Sequence, residues 1–235
     1  MGKSIRRRIG ALAGLCAAAT LTACGGTVAG TAVYAPEPPS ENLPLVKIGQ
    51  LKDLIPTPEE AREILGTKVL LVLALYTKPD SLPKDTLSEP DCAAAIIPND
   101  TSAYAGSGYA GIYGRLADDL RNHRISTGVA AFGDAAAAEQ FVDGLVQRWR
   151  QCADKPIRVK LAREELTWNI GTPQRSYGVD ILPRSQEGKD YFCARGAAAR
   201  SNVAADVLVC GPDAAEVNAQ TGRLVNLMLD KVPQG

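Results

Sequence analysis

The sequence predicts an α+β domain: a largely antiparallel β-sheet packed with helices, pinned by two disulfides. Three observations carry this. Helix-like and strand-like stretches do not alternate as βαβ units. Five strand-like segments crowd between residues 157 and 210. Cys92, Cys152, Cys193 and Cys210 form an even set. Clustered short strands, with Gly, Pro and charged turns between them and helices set apart, favour α+β over a parallel doubly wound sheet.

The chain opens with Lys3, Arg6, Arg7 and Arg8, then a small and apolar stretch from Ile9 to Leu21, then Leu21-Thr22-Ala23-Cys24. A basic start, a short apolar core and small residues before a cut describe an export signal. The apolar stretch is shorter than the ~20 residues a spanning helix needs. Leu-Thr-Ala-Cys resembles the bacterial lipobox, which places a lipid on the Cys24 sulfur and makes Cys24 the mature N-terminus. Cys16 is excluded as the acceptor because Leu15 is too large for the small-residue position. The expectation is a signal peptide over residues 1–23, a lipidated N-terminus and flexible tether over 24–44, and a folded domain over 45–235. The mature chain would be held by its lipid on the extracytoplasmic face of the cell membrane. Gly, small residues and Pro without apolar period, as in Gly25 to Pro44, indicate a tether.

Charge removes one class of partner. The chain has 26 basic and 26 acidic residues. Removing the four basic residues of the signal leaves 22 against 26, a net of about −4, without the basic surplus that phosphate-backbone binding requires. Nucleic acid is therefore not an expected partner.

The elements follow in order. Thr57, Pro58 and Glu60 give an N-cap, a first-turn proline and a capping box, and Gly66 ends that helix. Val69 to Tyr76 is a continuous apolar run that reads as a buried strand. Lys78 to Pro90 is rich in Pro, Asp and Ser, and a short helix around Cys92 to Ala95 ends near Pro98. Strands are expected at Tyr109 to Leu116 and Ser126 to Phe132, joined by a polar turn with Asp118, Asp119, Arg121 and Asn122. Asp134 caps a long helix whose Ala138, Phe141, Val142, Leu145, Val146 and Trp149 share one face. Strands at Ile157–Leu161, Leu166–Ile170, Ser176–Leu182, Tyr191–Ala197 and Val203–Cys210 precede a last helix, capped by Asp213 with Glu216 in the capping-box position.

No catalytic constellation emerges. His123 is the single histidine and lies in an Arg-Asn-His-Arg turn, where it reads as solvated. No G-x-S-x-G elbow, P-loop or H-E-x-x-H occurs. Gly106-Ser107-Gly108 lacks the Lys and Ser/Thr of a phosphate loop and reads as a turn. Asp118-Asp119 and Glu164-Glu165 are adjacent pairs, which point to opposite faces of a strand, and read as solvated surface. The cysteines show no C-x-x-C spacing and no nearby histidine, so neither a metal nor a cofactor is expected. In an oxidising compartment four cysteines make two disulfides, with three pairings open.

Several stretches resemble the extracellular sensor domain of PknH-type mycobacterial receptor Ser/Thr kinases, in a stand-alone lipoprotein form. They are Leu54 to Glu60 with Ile64-Leu65-Gly66; Pro90-Asp91-Cys92-Ala93; Tyr104 to Gly108; Ala131-Phe132 with Ala135 to Ala138 and Trp149-Arg150-Gln151-Cys152-Ala153; and Asn202-Val203, Asp206-Val207 and Cys210-Gly211. They span roughly residues 50 to 232 in the family's order. Tyr109 stands where the family often has Trp. The kinase and its spanning helix are absent from the resemblance, and the lipid would replace the helix as anchor. The resemblance implies a sensor fold with a cleft and two links, Cys92–Cys152 and Cys193–Cys210. The second link also suits neighbouring antiparallel strands.

A cleft of this kind would take a small molecule or an envelope component of unnamed chemistry. Trp168, Tyr177, Arg200 and Asn202 are the candidates to line it, although Trp168 alternates with apolar Leu166 and Ile170 as a core residue would, and Asn202 suits a turn. The leading expectation is a non-catalytic, ligand-binding, membrane-anchored lipoprotein. An envelope scaffold comes second, signalled by a flat apolar patch, and a hydrolase third, signalled by two convergent carboxylates. The anchor itself is directly testable: Cys24→Ala should leave the chain unprocessed or released, because stable attachment needs two or more acyl chains at ~0.8 kcal/mol per buried methylene. Mass spectrometry of the mature N-terminus checks it, and an unmodified first residue other than Cys24 would contradict it.

Overall fold

The computed structural model describes residues 43–234. The segments assigned to the signal peptide, to Cys24 and to all but the end of the tether lie outside them. At the centre is a nine-stranded sheet in the order β1-β2-β3-β9-β8-β7-β5-β4, with β6 alongside β7. Its strands are β1 (Leu71–Tyr76), β2 (Gly111–Asp118), β3 (Arg124–Ala131), β4 (Pro156–Lys160), β5 (Glu165–Ile170), β6 (Gln174–Ser176), β7 (Val179–Gln186), β8 (Phe192–Arg200) and β9 (Val203–Gly211). Every pairing between them is antiparallel. Helices cover both faces: α3 (Ala93–Ile96), α4 (Thr101–Tyr104) and α5 (Ala135–Gln151) on one, α1 (Leu51–Leu54), α2 (Pro58–Leu65) and α6 (Ala214–Asp230) on the other.

Both faces are covered, so the middle strands are buried throughout. All nine residues of β9 are buried: Val203, Ala205, Val207 and Val209 face α6, while Ala204, Leu208 and Cys210 face the α5 side. The caps read from sequence form as expected. Thr57 Oγ1 accepts the Glu60 amide at 3.2 Å, the Glu60 carboxylate accepts the Thr57 amide at 2.7 Å, and Gly66 closes α2 at φ 65°. Asp134 and Asp213 accept the amides of Ala137 and Glu216, each at 2.8 Å. Glu216 does not close a box; its carboxylate pairs with Arg223.

The disulfides are Cys92–Cys152, tying the turn before α3 to the end of α5, and Cys193–Cys210, between directly opposed residues of β8 and β9. They enclose 60 and 17 residues, for which chain entropy gives roughly 4 and 3 kcal/mol.

Three expectations are corrected. The apolar run at 69–76 is not buried: β1 is an edge strand, and its leucines and valine are about half exposed. Apolar composition cannot tell a central strand from an edge whose outer side lacks a partner. The strand expected at Ser176–Leu182 is divided, because Tyr177 (φ 48°) and Gly178 (φ 79°) form the turn between β6 and β7. Asp119 is buried rather than solvated, and His123 is partly buried against it. Asp119 is 7 % exposed; its Oδ1 accepts the amides of Arg121, Asn122 and His123 at 2.8–2.9 Å, and its Oδ2 accepts from His123 Nδ1 at 2.8 Å. Burial pushes this carboxyl up, but the hydrogen bonds from the His123 amide, the His123 ring and the Arg121 and Asn122 amides outweigh it. They hold it well below the usual carboxylate range.

A buried polar group fastens α3 to the sheet. Arg195 on β8 and Asp206 on β9 are each 1 % exposed and ion-paired, with Nε donating to Oδ1 at 3.2 Å. Arg195 also donates to the carbonyls of Ala94 and Ile97 at 2.6 Å, and its guanidinium lies 5.3 Å from the Trp149 ring centre. Asp206 Oδ2 accepts the Asn99 amide at 3.0 Å, and the Asn99 side chain bonds Tyr76 and Tyr104. This requires glycine beneath: a Cβ at Gly114 would lie 2.0 Å from the Tyr76 ring, and one at Gly128 2.7 Å from the Asn99 amide.

Breaking a buried ion pair from one side typically costs 3–5 kcal/mol, whereas an apolar pair of matching volume is often tolerated. Asp206→Leu should therefore lose about 3–5 kcal/mol in denaturant unfolding, and adding Arg195→Met should recover part of it. Equal losses that simply add would contradict the coupling. Asp119 makes a pH prediction. Its folded pKa is depressed, so its contribution is complete above the unfolded value of about 3.9 and is lost as pH falls through the folded one. The stability margin of the native chain over Asp119→Ala should shrink below about pH 4; a margin unchanged down to pH 2 would contradict it.

Candidate functional site

The four residues singled out in the sequence do not share an environment. Trp168 on β5 is 7 % exposed, with the Arg184 guanidinium 4.7 Å from its ring centre and the Tyr191 ring 6.1 Å away. Arg184 is itself buried and donates to the carbonyls of Ala95 and Ile96; burial, with Arg195 nearby, pushes its pKa down to about 9. Tyr177 is 82 % exposed at the β6–β7 turn. Arg200 pairs with Asp230 and Gln234 at the end of α6. Asn202 is 3 % exposed and spends its whole amide on backbone: Oδ1 accepts from Val46, and Nδ2 donates to Val46 and Phe132. Arg200 and Asn202 thus fasten the two ends of the domain at the β8–β9 hairpin.

A cleft of about 390 Å³ lies elsewhere, between the last turn of α2, the β2–β3 turn and the start of α6. That volume falls in the range of small-molecule sites. Ile64, Leu65, Pro212 and Val217 supply its apolar surface, and Glu63, Asp213, Glu216, Arg223 and His123 its charged and polar groups. Each of the three walls is held in place. Asp119 fixes the His123 turn as described. Asp213 caps α6. Lys231 ties α6 to α2 through Glu60 at 2.6 Å.

Gln220 is the unusual member. It is 2 % exposed; its Nε2 donates to the Leu65 carbonyl at 3.4 Å, while its Oε1 is buried with no hydrogen-bond partner. An unmet buried acceptor costs ~1–3 kcal/mol, so a group that donates to it there is favoured. The signal was present in the sequence: Gln220 interrupts the apolar stripe of Val217, Leu224, Val225 and Met228 at a position facing inward.

His123 is held by Asp119 through Nδ1, which leaves Nε2 as the ring nitrogen not engaged by that carboxylate. Gly211 makes room for this ring, since a Cβ there would meet it at 3.0 Å. Among the described residues that line the cleft there is no Ser, Thr, Cys, Lys or Tyr beside the His–Asp pair. Of the acidic groups, Asp213 is spent as a cap and Glu216 on Arg223. The arrangement can bind, with three carboxylates, one guanidinium and the His123 ring around a partly apolar floor, and the unmet Gln220 Oε1 buried beneath it. Among the described residues no group of three His, Cys, Asp or Glu side chains is placed to hold a metal ion.

Comparison with known proteins gives a consistent picture. The family model of the PknH-like extracellular domain matches residues 46–231. The serine/threonine-protein kinase PknH of Mycobacterium tuberculosis is 28 % identical over 204 residues, covering 85 % of this chain and 31 % of that protein. PknH of Mycobacterium bovis is equally similar, with 32 % of its length covered. PknJ of Mycobacterium tuberculosis is 22 % identical over 202 residues, covering 81 % of this chain and 33 % of PknJ. The chain therefore spans about a third of the length of these curated relatives. The crystal structure of the extracellular domain of PknH from Mycobacterium tuberculosis superposes with a TM-score of 0.74 at 28 % identity, covering 80 % of this chain and 97 % of that one. The sheet, the helices on its faces and the family match agree: the chain belongs to the PknH-like extracellular domain family.

Proposed function

We propose that this chain is a lipid-anchored, extracytoplasmic, sensor-like module that binds a small ligand in the cleft between α2, the β2–β3 turn and α6, and performs no chemistry on it. The observation that carries the reading is the unmet, buried Gln220 Oε1 among the residues that line the cleft. Family membership supports an extracellular binding role. The anchor rests on the Leu21-Thr22-Ala23-Cys24 set. The ligand that suits the cleft carries N–H or O–H donors, to meet Gln220 Oε1 and His123 Nε2, and is neutral or cationic, because carboxylates outnumber the guanidinium. Soluble metabolites and fragments of the cell envelope both offer such groups.

A second reading, an envelope scaffold, has its own observation in the half-exposed apolar strand β1. A hydrolase would need two convergent carboxylates, and with Asp213 spent as a cap and Glu216 on Arg223, Glu63 is left without a second.

Gln220→Met tests the proposal from two sides. The change removes the unmet acceptor together with the Nε2 contact to the Leu65 carbonyl at 3.4 Å, so the two effects offset, and the Tm of the empty domain should stay within roughly 2–4 °C of the native value. The same change should abolish the mass increment that native mass spectrometry detects on protein released gently from its own envelope. A folded Gln220→Met domain that retains the increment would contradict the site.

A further inference from the structure

The two outer edges of the sheet are built differently. β4 begins with a proline and alternates exposed Arg158 and Lys160 with buried Ile157 and Val159. Its outer side is taken by residues 86–88: Ser88 donates its amide to the Arg158 carbonyl at 3.0 Å, and Lys160 donates its own to Thr86 at 2.7 Å. Charge, proline and a covering segment are the usual means by which proteins prevent an edge from pairing.

β1 has none of these. It reads Leu-Val-Leu-Ala-Leu-Tyr, pairs on one side with β2, and has no neighbour on the other in the sheet order. Leu71, Val72, Leu73 and Leu75 are 44 %, 46 %, 49 % and 56 % exposed, and Val69 just before them is 51 % exposed. These five are half of the ten large apolar side chains that the described residues expose. Its one blunting feature is an irregularity in register between Val72 and Ala74.

Half of five Leu and Val side chains amounts to roughly 400 Å², within the range of the largest apolar patch on a monomer, which is often functional. We propose that β1 is a homodimerisation edge: two copies pair antiparallel through Leu71–Tyr76 across a two-fold axis, joining their sheets. The strand is complementary to itself, which an isologous interface requires. In the centred antiparallel register Leu71 lies opposite Tyr76, Val72 opposite Leu75, and Leu73 opposite Ala74, with Lys68 and Lys78 outside the paired segment. Two copies together bring about 800 Å² of apolar side chain plus two strand edges, the low end of specific interfaces, so the dimer is weak. This inference does not depend on whether the cleft binds a ligand.

Sedimentation velocity of the mature chain in detergent, from about 1 to 100 μM, tests it, since the Kd expected of a small interface is on the order of 10 μM. The native chain should move from monomer to dimer over that range. Leu73→Lys with Leu75→Lys should remain monomeric while keeping the circular dichroism and Tm of the native chain, because both positions are half exposed. Leu73→Cys, expressed in its own envelope, should give a covalent dimer on non-reducing gels, whereas a cysteine at exposed Glu164 should not. A native chain that stays monomeric throughout would overturn the proposal. So would a dimer that survives the double lysine variant, or a lysine variant altered only in its association with phosphatidylglycerol vesicles, which would make β1 a membrane-facing edge.

Discussion

The ion pair of Arg195 with Asp206 sits at the centre of the fold, and the placement of the α3 layer depends on it. A guanidinium and a carboxylate, each almost wholly removed from water, are stable only if their remaining hydrogen-bonding capacity is met. Here the carbonyls of Ala94 in α3 and of Ile97 just after it, with the Asn99 amide, meet it. The need for those partners fixes α3, holds Asn99 in its left-handed conformation (φ 56°) and brings Tyr76 and Tyr104 onto Asn99. Gly114 and Gly128, paired across β2 and β3, keep the surface flat enough for that contact. The Cys92–Cys152 link then joins the same turn to α5. Small residues dominate the middle strands because long helices pack on both sides of them.

This frame accounts for how the sequence could and could not be read. Elements that depend on neighbours within a few residues were legible: α2 from Thr57, Pro58 and Glu60, α5 from Asp134 and its apolar stripe, α6 from Asp213. The disulfide pairing followed from the family resemblance and from β8 and β9 lying side by side. Features set by distant partners were not legible. Nothing in Leu71 to Tyr76 says that only one side of the strand would be paired. Asp119 read as solvated because four of its hydrogen bonds come from a turn whose conformation, with Leu120 at φ 61°, the sequence does not announce, and a fifth comes from distant Thr67. Trp168 lies under Arg184, and Asn202 serves as a fastener for Val46, more than 150 residues away. Gln220 was legible in part, as a polar residue at an inward position of α6, but its significance depends on α2 lying across it.

The cleft and the free edge occupy different parts of this frame. The cleft forms where α2, the β2–β3 turn and α6 meet, away from the buried ion pair. β1 lies at the end of the sheet farthest in strand order from β4, the edge that is covered and charged. A domain with a rigid middle, an acidic cleft on one helical face and one open edge has the parts needed to bind a ligand and to associate with a partner.

Hydrogen exchange tests ligand binding at the cleft most directly. The chain released gently from its own envelope is compared with the same chain refolded from denaturant with its disulfides intact, so that bound small molecules are lost. The account predicts slower exchange in the gently released chain at the amides of residues 63–67, 121–124 and 214–223, with β8 and β9 around Arg195 and Asp206 unchanged. Identical exchange in the two preparations, or protection confined to another part of the domain, would contradict it.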